Sequence, residues 1–212
     1  MKLYTVDNVS IPILDGNIGI CASGGADSAV LLYILMTQLE PSQELHIFTF
    51  GKLLTHYSTL ASARTVAKRC SDLTGFINYT HHVDYADNQT VELLHNMTRA
   101  AGNNGIIQAL YTGQTANPPK EIADGFLGSE YNSEHKERDP DIIRDIMYSD
   151  KVCNPFTNLN KQHIASIYHT LGLTDTLYPY TRSCENYDPV YLGTHCGECW
   201  WCKERSWGFG KL

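Results

Sequence analysis

Two short stretches of the chain carry residue types that do chemistry. The first is Ser23-Gly24-Gly25-Ala26-Asp27-Ser28, set between an apolar run at 17–22 and another beginning at Ala29. Adjacent glycines let the backbone approach a ligand with no Cβ in the way. Successive N–H groups opening a helix bind an anion such as phosphate. Ser23 and Ser28 add hydroxyls, and Asp27 is placed to hold Mg²⁺ or to organise the turn. The competing reading is a plain helix N-cap, with Asp27 complementing the macrodipole. The loop is not a Walker motif, which is longer and ends in Lys-Ser/Thr. It also lacks the three spaced glycines of a dinucleotide fingerprint.

The second stretch holds Cys184, Cys196, Cys199 and Cys202, four of the seven cysteines within nineteen residues. Four thiolates match the tetrahedral preference of Zn²⁺, and with every position filled by protein the ion is structural. An iron–sulfur cluster is the rival occupant, since three close thiols and a remote one also hold iron. Zinc is the favoured reading. His195 is an alternative ligand to Cys184, but beside Cys196 it is expected to point elsewhere. A third candidate stands alone: Lys161 opens a late helix, where the dipole disfavours a cation. A phosphate contact would explain it; a solvated surface lysine would need no explanation.

The elements that must position these residues follow from hydrophobic periodicity. Residues 3–14 alternate like a short strand or edge hairpin, and 17–22 reads as a strand. Ala29–Leu35 is apolar all round, which predicts a buried central helix. Leu45–Phe50 and 76–83 read as further strands. Leu60, Ala63, Val66, Ala67 and Cys70 fall at helical spacing between them, and Val91, Leu93 and Leu94 suggest a third helix. Residues 106–112 are ambiguous between helix end and strand. Strand–helix alternation predicts βαβ units and a parallel sheet. Residues 113–150 show little periodicity and carry a charge cluster at 134–139, which fits a surface excursion or a loop over a site. Asn160 caps an amphipathic helix bearing Ile164, Ile167 and Leu171. Cys21, Cys70 and Cys153 are expected in the core. His81 and His82 share a strand, one ring inward and one toward solvent, and neither is assigned to metal.

Composition narrows the class. The 212 residues are 42% hydrophobic and 18% charged, as in an ordinary globular protein. No apolar run approaches the ~20 residues of a membrane span, and the start carries acid, unlike a secretory signal. A reducing cytoplasm, with thiols used for metal rather than disulfides, is the expected setting. The net charge of −7 argues against a broad nucleic-acid surface, so no stable nucleic-acid binding is expected.

In its strand–turn–helix setting the 23–28 loop resembles that of the PP-loop ATP pyrophosphatases, which bind the β- and γ-phosphates of ATP there and cleave between α and β. The C-terminal pattern Ser183-Cys184, Cys196-Gly197-Glu198-Cys199, Cys202 and Arg205 extends the likeness. Together they resemble the 7-cyano-7-deazaguanine synthase family, often grouped with ExsB-like proteins. That family's lysine-bearing helix corresponds to Asn154-Pro155-Phe156 through Lys161, and its Arg-Asn pair loosely to Arg99 and Asn103-Asn104. The resemblance implies an α/β, Rossmann-like (adenine nucleotide alpha hydrolase-like) parallel sheet flanked by helices over 1–180. It also implies a small zinc-binding segment over 181–212, with 113–150 as substrate loop or lid.

The resemblance further implies ATP, Mg²⁺ and Zn²⁺ as cofactors and a homodimer in the cytoplasm. The implied activity is a ligase that makes 7-cyano-7-deazaguanine from 7-carboxy-7-deazaguanine and ammonia, for queuosine or deazapurine biosynthesis. Carried over residue by residue, Asp27 and Lys161 are catalytic, and Ser23–Ser28, Phe50 and Lys161 hold ATP. Arg99, Asn103, Gly113 and Asn117 face the deazapurine substrate, and the four cysteines hold metal. The chain departs from the family at 112–126, where the Asp-Cys of the substrate segment has no match and Asn117 or Asp124 would have to stand in. Two other readings stay open: a PP-loop ligase with a different acceptor, and a non-catalytic nucleotide-binding zinc module.

Overall fold

The computed structural model describes residues 1–51, 57–85, 90–127, 138–186, 188–191 and 193–212. A hairpin opens the chain, β1 (Lys2–Val6) against β2 (Val9–Ile13), with Asp7 and Asn8 both at positive φ as a two-residue turn of this hand requires. Alternation follows: β3 (Ile18–Cys21), α1 (Ala26–Gln38), β4 (Leu45–Gly51), α2 (Tyr57–Thr74), β5 (Tyr79–Tyr85), α3 (Thr90–Asn103) and β6 (Ala109–Thr112). The chain continues through α4 (Lys120–Leu127), β7 (Met147–Ser149), β8 (Val152–Cys153), α5 (Lys161–Thr170) and α6 (Trp200–Phe209).

The main sheet has the order β5-β4-β3-β6-β8-β7. Every pairing is parallel except the short β7, which runs against β8. The expected helix-flanked parallel sheet is therefore present, with one antiparallel edge. Its two faces are separated by the pleat. Ile47 of β4 lies in the large core built with α1, α2 and α5, while Phe48 and Phe50 meet Ile107, Leu110 and Ala101 on the α3 side. Burial of α1 is complete at Ala29, Val30, Leu31, Leu32, Ile34 and Leu35, which is why its sequence shows no polar face.

This order also determines where a site can be. The chain leaves β3 toward β4 on one side and later returns to β6 on the other, so β3 and β6 flank the switch point of the sheet. Ligands of open α/β sheets bind at that crevice, beyond the strand C-termini. The loop 23–28 leaves the end of β3, and Gly113 follows the end of β6.

Several elements differ from the periodicity reading. The strand expected from 76 begins at Tyr79, because Gly75 turns at φ +74 and Ile77 points to solvent. The ambiguous 106–112 run becomes strand only from Ala109. Among the described residues, α4 and β7 lie inside the stretch of little periodicity, and both are short. Residues 134–137 of the charge cluster lie outside the described residues. Both histidine rings of β5 are half-buried: His82 Nε2 lies 2.8 Å from His46 Nδ1, and His81 Nε2 2.8 Å from Thr49 Oγ1. Burial, then the charges of Arg64 and His82, lowers His81 to about 4, so its ring is neutral near pH 7. Among the described residues no helix is long and apolar enough to cross a membrane.

Candidate active site

The loop after β3 is built to present backbone donors. Gly25 is the N-cap of α1 and no side chain caps it, so first-turn N–H groups are left for a ligand. Gly24 stands at φ +80, and a Cβ there would come within 2.6 Å of the Ala63 nitrogen on α2. Gly113 has the same close fit, its Cβ position 2.9 Å from the Ser28 nitrogen. The loop is held from behind as well. The Tyr168 hydroxyl donates to the Ala26 carbonyl at 2.9 Å, and the Arg182 N–H donates to the Gly24 carbonyl at 2.8 Å. Ser28 Oγ donates to the Gly25 carbonyl at 3.2 Å, while Ser23 stays exposed.

Lys161 is not a surface lysine: its residue is only 2% exposed. Asn160 caps α5 by accepting from the N–H groups of Gln162 and His163, which places Lys161 at the first helical position. Its stem lies against α6 at Gly208, where a Cβ would come within 2.5 Å of Lys161 Cγ. Its amine donates to Asp27 Oδ2. The same Asp27 oxygen accepts from Thr115 Oγ1 at 3.5 Å. The two residues expected to act on phosphate are therefore joined, 134 positions apart in the chain.

Three further side chains in this cluster were not found from the sequence. Glu204, fully buried, lies with Oε2 3.6 Å from the Lys161 amine. Its Oε1 accepts from Arg138 Nη2 at 2.6 Å. Arg138 also donates to the Thr115 carbonyl at 2.6 Å and to Thr115 Oγ1 at 3.0 Å. Asp27, Lys161, Glu204, Arg138 and Thr115 thus close a ring of balanced charge. The only signal for Arg138 was its place in a charge cluster, which reads as solvated surface. Glu204 sits among charged residues just after Cys202, and nothing in one sequence separates it from an exposed helix face.

One cavity opens at the C-terminal ends of β3 and β4, and a second runs along β6 on the α3 side. The first, of about 310 Å³, is lined by the loop with Asp27 and Ser28, by Phe48 and Phe50 of β4, and by Gly113. Phe50 therefore meets the 23–28 loop across one space, while Lys52 lies outside the described residues. The other, of about 340 Å³, includes Arg99 and Asn103 of α3 with Leu110, Lys151 and Val152. Cys21 lines both. Burial pushes its thiol up to about 12, so it is no nucleophile there. Of the residues expected at a substrate, Gly113 falls in the first cavity and Arg99 and Asn103 in the second. Asn117 is buried beside Arg138, its N–H donating to the Arg138 carbonyl at 2.8 Å, and lines neither. Asp124 is exposed on α4.

The four cysteines of the C-terminal segment converge. Their sulfurs all lie within 4.8 Å of one another, with Cys196 and Cys202 at 3.9 Å. Zn–S bonds of about 2.3 Å in a tetrahedron put sulfurs about 3.8 Å apart, so this set fits one tetrahedral ion. Backbone donors point at the sulfurs: Asn186 N–H to Cys184 at 3.4 Å and Cys199 N–H to Cys196 at 3.4 Å. Burial raises the Cys196 thiol, but N–H donors from Cys199 and Glu198 and the adjoining thiols bring it down to about 7. A thiolate there is accessible near neutral pH, as a ligand must be. His195 is not part of the set; burial, then Arg205 and Arg182, lowers it to about 4.

The cysteine segment and the helices that adjoin it also carry a likeness in sequence. The family model of queuosine biosynthesis protein QueC matches residues 145–212. This stretch of the chain is similar to that family, as the C-terminal pattern led one to expect, and it spans Lys161, Ser183, the four cysteines and Arg205. No curated protein matches the chain significantly. Among solved structures, U34-tRNA thiolase NcsA from Methanococcus maripaludis, with its [4Fe-4S] cluster, aligns at a TM-score of 0.49 and 14% identity over 93% of this chain and 72% of that one. NMN synthetase from Francisella tularensis aligns at 0.46 and 11% over 92% and 78%. NH3-dependent NAD synthetase from Campylobacter jejuni aligns at 0.42 and 17% over 76% and 66%.

Proposed function

We propose that this chain is an ATP-dependent ligase that adenylates a carboxylate and releases pyrophosphate into the 23–28 loop. The observation that carries the reading is the joining of that uncapped loop, through Asp27, to the buried Lys161 of the QueC-like segment. A carboxylate is a poor electrophile because its leaving group would be oxide. Its oxygen attacks the α-phosphorus of ATP, forming an acyl-adenylate as the bond to the pyrophosphate oxygen breaks. Ammonia then adds to the acyl carbon and AMP departs, leaving an amide and a proton. A second ATP adenylates the amide oxygen and releases another pyrophosphate, and loss of AMP and both amide N–H protons then gives the nitrile. The loop donors and Lys161 meet the charge that develops on the departing pyrophosphate. Mg²⁺, held through Asp27, would supply further charge neutralisation.

The acceptor is 7-carboxy-7-deazaguanine in this reading, and the second cavity is its place. Leu110 and Val152 offer an apolar wall for a flat ring, and Asn103 an amide for its polar edge. Arg99 and Lys151, without an ion-pair partner among the described residues, offer charge for a carboxylate. The cysteine centre is proposed to hold one structural Zn²⁺. Incubation with ATP, Mg²⁺, ammonia and 7-carboxy-7-deazaguanine, followed by mass spectrometry, tests the acceptor. A nitrile that requires all the components is the expected result. Pyrophosphate without nitrile would point to a different acceptor, and no pyrophosphate at all to a nucleotide-binding module.

A further inference from the structure

Lys161 lies between two carboxylates, only one of which belongs to the phosphate loop. Asp27 Oδ2 takes the amine, while Glu204 Oε2 lies 3.6 Å from it, buried and without a hydrogen bond of its own. Glu204 is held in place from its other oxygen, because Arg138 donates to Oε1 at 2.6 Å and is itself fastened to the Thr115 and Ala116 carbonyls. A buried carboxylate oxygen left unpaired is costly unless a partner is within reach. Here the partner within reach is the lysine amine.

We propose that Glu204 is a positioning residue of the nucleotide site, holding the Lys161 amine at the phosphate loop when Asp27 is engaged at the nucleotide. The proposal rests on the ATP reading above. Asp27 lines the nucleotide cavity, so a bound cation or phosphate competes with the lysine for its carboxylate. Without a second anion the amine would then lose its only partner and its direction. Glu204 supplies that anion from α6, two residues after Cys202, so the cysteine segment reaches the lysine through this side chain as it reaches the loop through the Arg182 N–H. Gly208, one turn further along α6, allows the close approach that brings the lysine stem alongside.

The test is a double-mutant cycle on pyrophosphate release, with binding of inorganic pyrophosphate measured by calorimetry. Glu204→Gln keeps the shape and an acceptor for Arg138 but removes the charge facing Lys161. It is expected to lower kcat at least about tenfold while KM for ATP changes little, as for an interaction that tightens in the transition state. In a Lys161→Ala background the same change is expected to add almost nothing, because residues that act as a unit are not additive. Pyrophosphate affinity follows the same pattern. Glu204→Asp, which keeps the buried charge but withdraws it, carries the test if Glu204→Gln does not fold, with an intermediate loss of kcat. Equal loss in both backgrounds, or no loss with wild-type pyrophosphate release, overturns the role of Glu204. A wild-type protein that neither releases nor binds pyrophosphate overturns the ATP reading, and this proposal with it.

Discussion

Lys161→Ala is expected to slow pyrophosphate release by about 10²–10³-fold, the loss seen when one donor to developing charge is removed. It is also expected to destabilise the fold, and the reason is geometric. The lysine is the cation between Asp27 and Glu204, so its removal leaves two carboxylates in one buried cluster, with Arg138 the remaining cation in direct contact, on Glu204. Removing one partner of a buried pair costs about 3–5 kcal/mol, which is roughly 6–20 °C in Tm for a chain of this size. Asp27→Ala makes the contrast. Its kinetic loss is expected to be similar, but Lys161 still faces Glu204, so its thermal loss is smaller. Steady-state pyrophosphate release and thermal unfolding of both variants check this pair of effects. Near-wild-type turnover in Lys161→Ala would remove the lysine from the chemistry.

Cys199→Ser is expected to lower metal content and stability together. Metal affinity of such a site is folding free energy, on the order of 10 kcal/mol or more in small zinc domains, and the ligands here organise the start of α6. That helix packs on α5 and carries Glu204, while the Arg182 N–H, two residues before Cys184, donates to the Gly24 carbonyl of the 23–28 loop. Loss of the ion should therefore reach the nucleotide site and reduce turnover as well. Elemental analysis is expected to find about one zinc per wild-type chain and far less in the variant. A brown protein with an iron–sulfur absorption band would contradict zinc. A metal-free variant with wild-type Tm would contradict a structural role for any ion.

The parts of this molecule that were legible in the sequence are those in which local chemistry and tertiary place agree. Gly24 of the 23–28 loop stands at positive φ against the α2 backbone, which leaves no room for a Cβ, and the same glycine marks the loop in the sequence. The four cysteines have few other uses at their spacing. Helices α1 and α2 could be read because their apolar residues match their burial. Helix α1 is apolar all round and buried all round, and α2 buries Leu60, Ala63, Val66, Ala67 and Cys70 at helical spacing. The charged ring was not legible for the opposite reason. Arg138 and Glu204 look like solvated residues, and only the fold, which brings 27, 138, 161 and 204 together, makes them interior. Lys161 stands out in the sequence as a cation at a helix start, but its stem is covered by Gly208, far along the chain. Helix α6 was hidden because its buried residues, Trp200, Cys202, Glu204 and Arg205, make no apolar stripe.

The most direct measurement of the central claim is the identity of the nucleotide products. If the loop receives pyrophosphate, ATP incubated with the protein, Mg²⁺ and a competent acceptor yields AMP and pyrophosphate, resolved by anion-exchange chromatography, and Lys161→Ala yields little of either. Release of ADP and inorganic phosphate by the wild-type protein would contradict it.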